Sequence, residues 1–541
     1  MKKLIRISTL SIGAAFLSVS AADAQQSVLG GNGTWTVSTN WSLGSVPTSS
    51  TDVLIDSING TSTTGTQSAR DVTIANSGNA GARTLTVSTA GAMNLNSLTL
   101  GGSFTGVNGS SILQINTGVT VNVTNNITMS TGAGDSSINI LSGGGSLNVG
   151  GGTGSINKGA GAGAAKIDIR STAQVALGIS SASVTQIILG QGTATGNFSI
   201  NSGQTYTAAT NVLVGNGASG DYGTGILSMN GGTLTTGSLN LNAGNSTTLN
   251  NSVVNLNSGT ISTTTISRAN NGASQAFNWN GGTISNKAGG NLTVGNNANA
   301  IVISLAGTGT HTFDIESGKT ATVNSTVTLQ DKSGENGTLT KAGLGTLTIN
   351  GAHTYTGETT INAGTLVLSG TGSVNSSSGV SVANASTFTN NSSVAFNKAL
   401  ALTEGAILNG TGVTGAEFAP ISMTITADLS GGAFTTFALG TTGLTKAGGM
   451  GFTLTNITAG TYTVFSGSAL AGNFSTMTIG VTSLGSLGGG DFSGTVGGFN
   501  YTFTDSTNVL GVTVVPEPAT WALLAGGLTV VVVMRRRRRI G

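Results

Sequence analysis

A short unit recurs through the middle of this chain and sets the terms for its fold. It reads apolar-x-apolar-Asn-x-Gly, then Thr or a substitute: Phe198–Gln204 (FSINSGQ), Leu227–Thr233 (LSMNGGT), Val254–Thr260 (VNLNSGT) and Phe277–Thr283 (FNWNGGT). Leu113–Val119 (LQINTGV) is an earlier copy, Thr359–Thr365 (TTINAGT) has Thr in the first apolar place, and Phe313–Lys319 (FDIESGK) has Glu316 in the Asn place. The asparagines at 201, 230, 257 and 280 are separated by 29, 27 and 23 residues. Alternation with period two is the signal of a strand with one buried face. A fixed unit at unequal spacing means a coil of constant inner shape with turns of variable length. Phe198 and Ile200, or Leu227 and Met229, would then stack on their counterparts one coil away, with Trp279 at the same inward place. The Gly can take φ > 0 and turn the corner. The Asn tolerates the same turn, and its amide can bond backbone or the Asn of the next coil. Such a coil is a rung of a parallel β-solenoid, with neighbouring rungs about 4.8 Å apart. An antiparallel sandwich would need hairpin turns and would leave the stacked Asn-Gly register unexplained.

Composition agrees with an all-β chain. Of 541 residues 87 are Gly, and only 7% are charged. Disorder goes with high charge and few β-branched residues, whereas here Val, Ile and Thr recur in alternation. There is no Cys, so no disulfide staples the fold. The formal charge of +2 hides an asymmetry, with Lys2, Lys3 and Arg6 at one end and Arg535–Arg539 at the other. Setting those eight aside leaves 12 basic residues between 25 and 515; setting Asp23 and Glu517 aside leaves 16 acidic ones, a balance of −4. That middle has no basic face for nucleic acid.

Residues 1–24 read as a secretory signal peptide: a positive end, an apolar centre at Ile12–Val19, and the small-x-small cleavage site Ala22-Asp23-Ala24 before Gln25. Residues 25–60 follow as an N-terminal cap, with Trp35 and Trp41 flanking a polar loop. The arrangement resembles the start of many exported bacterial β-solenoid proteins. Trp faces suit sugar rings, but terminal repeats also need their open end covered, and a cap is the expected role. The solenoid proper is expected over 61–420, with Pro420 as its boundary. A C-terminal β cap or small β domain is expected over 421–515, where TKAGGMGFTL (Thr445–Leu454) echoes an earlier stretch.

That earlier stretch is LTKAGLGTLTINGAHTYTGETTINAGTLVLSG, Leu339–Gly370. Leu-Thr-Lys-x-Gly-x-Gly-Thr-Leu, Tyr-Thr-Gly and Ile-Asn-x-Gly-Thr-Leu fall in order, with turns expected at Gly351–His353 and Thr356–Glu358. It resembles the autotransporter-associated β-strand repeat, which is defined by a scaffold and implies no activity. The tail has three parts: Pro516-Glu517-Pro518, the apolar run Ala519–Met534, and Arg535, Arg536, Arg537, Arg538 and Arg539. In order and spacing, 516–541 resembles the PEP-CTERM sorting signal. The resemblance implies recognition by an exosortase-type protease, cleavage near the Pro-Glu-Pro, and onward sorting to the cell surface. The apolar run of 16 residues makes about 24 Å of helix, enough for a single transmembrane helix when flanking arginines snorkel, with those arginines held in the cytoplasm.

Candidate chemistry is sparse. The only histidines are His311 and His353; with no Cys, zinc sites of the usual spacing are excluded. His353 is expected in an exposed turn. The best acid pair is Asp314 and Glu316, on one strand face about 7 Å apart, near His311 and Lys319. Ser317–Thr320 ends like a phosphate loop, but Phe313 stands where the first Gly is required. Asp331–Gly337 resembles a calcium loop without the ligand spacing or a closing Glu. No catalytic, cofactor or metal residue is assigned. The expected protein is therefore an all-β, right-handed parallel β-solenoid with a C-terminal β cap and one transmembrane helix. Its expected role is non-enzymatic, structural or adhesive, at the outer surface or in the extracellular matrix after a transient stay in the inner membrane. An exopolysaccharide is its candidate partner. The alternatives are a polysaccharide-acting β-helix enzyme, which would want charged residues clustered on one flank, and an autotransporter-like passenger, which should end in a membrane barrel.

Overall fold

The protein is described by a computed structural model over residues 25–28, 33–55, 60–62, 66–74, 82–88, 91–101, 110–130, 133–141, 145–216, 223–243, 251–270, 274–296, 298–410, 418–432, 434–440, 443–446, 448–467, 470–515 and 535. The fold is an all-β, right-handed parallel β-solenoid. Two compact units divide it: Met1–Val253 with Gly272–Ser274, and Val254–Asn271 with Gln275–Gly541.

In the first unit one interior file runs through Val53, Val72, Leu98, Ile127, Ile156, Ala182, Tyr206 and Leu234, each paired in parallel with the next. All are buried. Within residues 25–60, Gln25–Val28 already pairs in parallel with Thr51–Ile55. The recurring unit takes the expected register: Phe198 pairs with Leu227 and Ile200 with Met229, and Leu227 and Met229 are 1% and 0% exposed. The Asn230 amide donates to Asn201 Oδ1 at 3.2 Å. Gly231, with φ of 104°, turns the corner that a side chain would strain.

In the second unit the corresponding file is Ile261, Ile284, Phe313, Lys341, Ile361, Val382, Leu402, Ile425, Phe452 and Ile479. Asn280 donates to Asn257 Oδ1 at 2.7 Å, a second rung-to-rung Asn pair. Trp279 is fully buried beside Phe313, ring centroids 5.2 Å apart and edge to face. Pro420 does not end the coil. Met423 and Ile425 continue the alternation and pair with Leu400 and Leu402, and the parallel ladder extends through Gly449–Thr455 to Thr476–Ile479. The rest of 421–515 is partly of another kind: Gly460–Thr463, Val509–Val514, Phe499–Thr504, Asp491–Val496 and Gly485–Gly488 form an antiparallel sheet in that order. Its turn at Asp505–Asn508 receives the buried Lys446, whose Nζ lies 2.9 Å from Asp505 Oδ2 and 3.2 Å from Asn508 Oδ1.

The signal peptide with Ala22 and Ala24, and the sorting segment with Pro516, Glu517, Pro518, the apolar run and Arg536–Arg539, lie outside the described residues. Among the described residues no helix is long and apolar enough to cross a membrane.

Candidate functional site

Strand parity separates the residues that the sequence grouped as an acid site. His311, Phe313 and Ile315 point inward and are buried, whereas Asp314 and Glu316 point outward and are exposed. His311 faces the core: its Nδ1 is 2.8 Å from Thr338 O, its ring packs edge to face on Trp279 with centroids 5.5 Å apart, and burial lowers its pKa. It therefore cannot serve the carboxylates. Glu316 is tied to the preceding rung by partners outside the recurring unit. Its Oε2 accepts from Gly289 N at 3.0 Å and Asn286 Nδ2 at 3.1 Å, while Asn286 Oδ1 accepts from Glu316 N at 2.9 Å. The bond from the Gly289 amide, followed by that from Asn286, holds its carboxyl below the usual range, the opposite of what a general acid requires.

The other readings resolve in the same terms. The Asp331 carboxylate accepts from Gly337 N at 2.8 Å and Thr356 Oγ1 at 2.7 Å, so loop and neighbouring rung occupy it. Lys319 N bonds Glu316 O across a turn, with Gly318 at φ of 72°. Trp35 and Trp41 are 1% and 3% exposed and pack edge to face at 4.9 Å, with Trp41 Nε1 donating to Trp35 O at 2.8 Å. Their faces are not offered to a sugar. Among the described residues no group of three or more His, Cys, Asp or Glu is placed to hold a metal ion. An open depression on the second unit is lined by Glu358, Ser378, Gly379, Ala399, Ala401 and Ser422. Glu358 is its single carboxylate and accepts from Ser381 Oγ.

Sequence reading passed over the most unusual residues of the repeat. Lys341 is fully buried and stands in the interior file between Phe313 and Ile361. Its ammonium donates to Ala342 O at 2.6 Å, Gly343 O at 2.7 Å and Ala363 O at 3.1 Å, so it ties the corner of its own rung to that of the next. Burial lowers its pKa to about 8. His353 is not in an exposed turn but 2% exposed. The alternation persists through Gly351, His353 and Tyr355, all inward, so the residues between strands remain extended enough to line the core. His353 Nδ1 accepts from Leu329 N at 3.3 Å, and burial lowers its pKa to about 4. Tyr355 OH bonds Thr359 Oγ1 at 2.6 Å. In the first unit Asp168, also not anticipated, is 3% exposed; burial raises its pKa even though it pairs with Arg170 at 2.5 Å.

The repeat thus uses its lysine, histidine and tyrosine to close gaps in a coil. A family model described as the passenger-associated transport repeat matches residues 339–368, the segment that holds all three. No curated protein and no solved structure matches the chain. The chain is a β-solenoid that carries a passenger-type repeat at residues 339–368.

Proposed function

We propose that the chain is an exported, passenger-like scaffold that acts at the outer surface or in the extracellular matrix, in a structural or adhesive and non-enzymatic role. The observation that carries this reading is the passenger-associated repeat at 339–368, whose ionisable side chains are committed to holding the coil together. The secretory signal with cleavage after Ala24 takes the chain out of the cytoplasm. The segment Pro516-Glu517-Pro518, the apolar run behind it and Arg535–Arg539 form a transient membrane anchor, read by an exosortase-type protease at the Pro-Glu-Pro. An exopolysaccharide is the partner this route supplies. Mass spectrometry of the surface-associated protein tests the reading. It should find a C-terminus near Pro516 and no peptide containing Trp521, and Glu517→Ala should leave the full-length chain in the inner membrane. Intact Trp521–Met534 peptides in mature surface protein would overturn the processing step.

The repeat match also favours a second reading, a passenger that crosses an outer membrane through a β-barrel. Depleting the barrel-assembly machinery of the host separates the two. Surface exposure lost under depletion, with the Glu517→Ala protein exported normally, would support the passenger route.

A further inference from the structure

Five successive strands of the second unit, Leu292–Val294, Thr320–Val323, Thr346–Ile349, Thr365–Gly370 and Thr387–Ser392, lie in consecutive rungs in register. Leu292 and Val294, Ala321 and Val323, Leu347 and Ile349, and Leu366 and Leu368 fill the core. The residues between them point outward and form two files. One is Thr320, Thr346, Thr365 and Thr387; the other is Thr293, Thr322, Thr348, Val367 and Thr389. Neighbours within a file are one rung apart, about 4.8 Å, and the files are two residues apart along each strand, about 6.6–6.8 Å. The result is a near-rectangular lattice of hydroxyl and methyl groups. Its members are part-exposed except Thr389, which is buried at 9% exposure.

Among the described residues the hydroxyls of this lattice have no hydrogen-bond partner. Elsewhere such groups are used internally: Thr236 Oγ1 donates to Ser238 O, and Thr356 Oγ1 to Asp331. No charged or aromatic side chain stands in either file. The neighbouring outward file Ser262, Ser285, Asp314 differs in this respect, since a carboxylate interrupts it. A protein partner would be recognised by a few varied anchors, Trp, Tyr or Arg, in a desolvated centre. Identical neutral groups at a fixed repeat instead reward a ligand that is itself neutral and periodic.

We propose that this face binds ice, the crystalline lattice of water. Each Thr offers a donor and two acceptors to lattice water. Its methyl group shields the adjacent site, so the water there is held in a cage by its neighbours. The β-branched side chain is stiff about χ1, and the sheet fixes its spacing, so little ordering entropy remains to be lost on contact. Single contacts are weak, but in a rigid array every contact after the first is intramolecular and they accumulate as in multivalent binding. Absence of charge matters for the same reason, because a strongly hydrated ion would keep its own liquid shell.

The test uses the purified full chain in two assays, inhibition of ice recrystallisation and the gap between melting and freezing points. Wild type should suppress recrystallisation and shape growing crystals. Thr346→Lys/Thr365→Lys, which places two ammonium groups in the centre of the lattice, should lose both effects while keeping its circular dichroism. Should that variant not fold, Thr348→Lys alone serves. Thr328→Lys, on the outward side of a strand in a different file, should behave as wild type. Folded wild type without effect on ice, or a folded Thr346→Lys/Thr365→Lys variant as active as wild type, would overturn the proposal. So would equal loss in Thr328→Lys, or threonine-dependent retention on crystalline cellulose or chitin without any effect on ice.

Discussion

Acidification should loosen the repeat through the one histidine it contains. His353 is 2% exposed and its Nδ1 accepts from the Leu329 amide on the preceding rung at 3.3 Å. Protonation would turn that acceptor into a donor facing a donor and leave a cation in the core. Burial puts the folded pKa at about 4, against an ordinary 6.5. The folded state therefore binds fewer protons than the unfolded state, so the contribution is fully present above pH 6.5 and is lost as pH falls through 4. Complete protonation corresponds to about 3–4 kcal/mol, or a change of about 300-fold in the local opening equilibrium.

Hydrogen exchange read by mass spectrometry on peptides spanning 325–332 and 351–361, corrected for the intrinsic pH dependence of exchange, follows this directly. Protection should fall between pH 6.5 and 4 in wild type and stay level in His353→Gln, whose amide oxygen can still accept from Leu329 but does not titrate. The carboxylates of Asp135, Glu316 and Asp428 are held below their usual range. Wild type and His353→Gln losing protection in parallel, or neither losing it, would refute the assignment.

Three further perturbations probe the same architecture. Lys341→Met keeps the stem but strips Gly343 O and Ala363 O of their donor, and should cost about 2–4 kcal/mol in urea unfolding of the repeat. It should also abolish the rise in stability expected between pH 8 and 10.5, where the folded chain sheds the Lys341 proton before the unfolded one does. Asp505→Ala leaves the buried Lys446 ammonium without its counter-ion and should cost about 3–5 kcal/mol, seen as proteolysis between Phe499 and Val514 at urea concentrations that wild type resists. Leu227→Asp buries an unpaired charge at an interior position and should cost at least about 4 kcal/mol, with lost circular dichroism and protease resistance in the neighbouring rungs.

Much of the coil is legible in the sequence because its two determinants are local. Period-two apolar pairs such as Leu227/Met229 name the inner face, and Asn-x-Gly names the corner at which the chain must turn. Position 316 is legible for the same reason, since its place in the unit marks it as structural even though its side chain is a carboxylate. What misled the reading was residue type overriding parity. Lys341 shares parity with Leu339, and His353 with Tyr355, yet residue type alone gives Lys341 no interior role and puts the imidazole in an exposed turn. Whether a buried ammonium is tolerable depends on three carbonyls, one of them 22 residues away, which no local pattern reveals. Pro420 misled for a related reason. Proline stops a ladder only where its missing N–H is needed, and here it precedes a strand that resumes the register. The Lys446–Asp505 pair joins residues 59 apart across a change from parallel to antiparallel pairing, and only the folded chain displays it.

The register that stacks one coil on the next underlies every assignment made here, and the absence of native Cys allows it to be measured cleanly. Thr312 and Thr340 are paired outward residues on adjacent rungs, as are Thr348 and Val367 on another strand. Their Cα atoms should lie about 4.8 Å apart, inside the range of about 4.4–6.8 Å that a disulfide accepts. Oxidative cross-linking of Thr312→Cys/Thr340→Cys and of Thr348→Cys/Val367→Cys, compared with the offset pair Thr312→Cys/Ala342→Cys, is the most direct measurement. Rapid intramolecular closure of both paired variants, with the offset pair slow, is the expected result; failure of the paired variants to close, or closure of the offset pair at the same rate, would contradict the solenoid register.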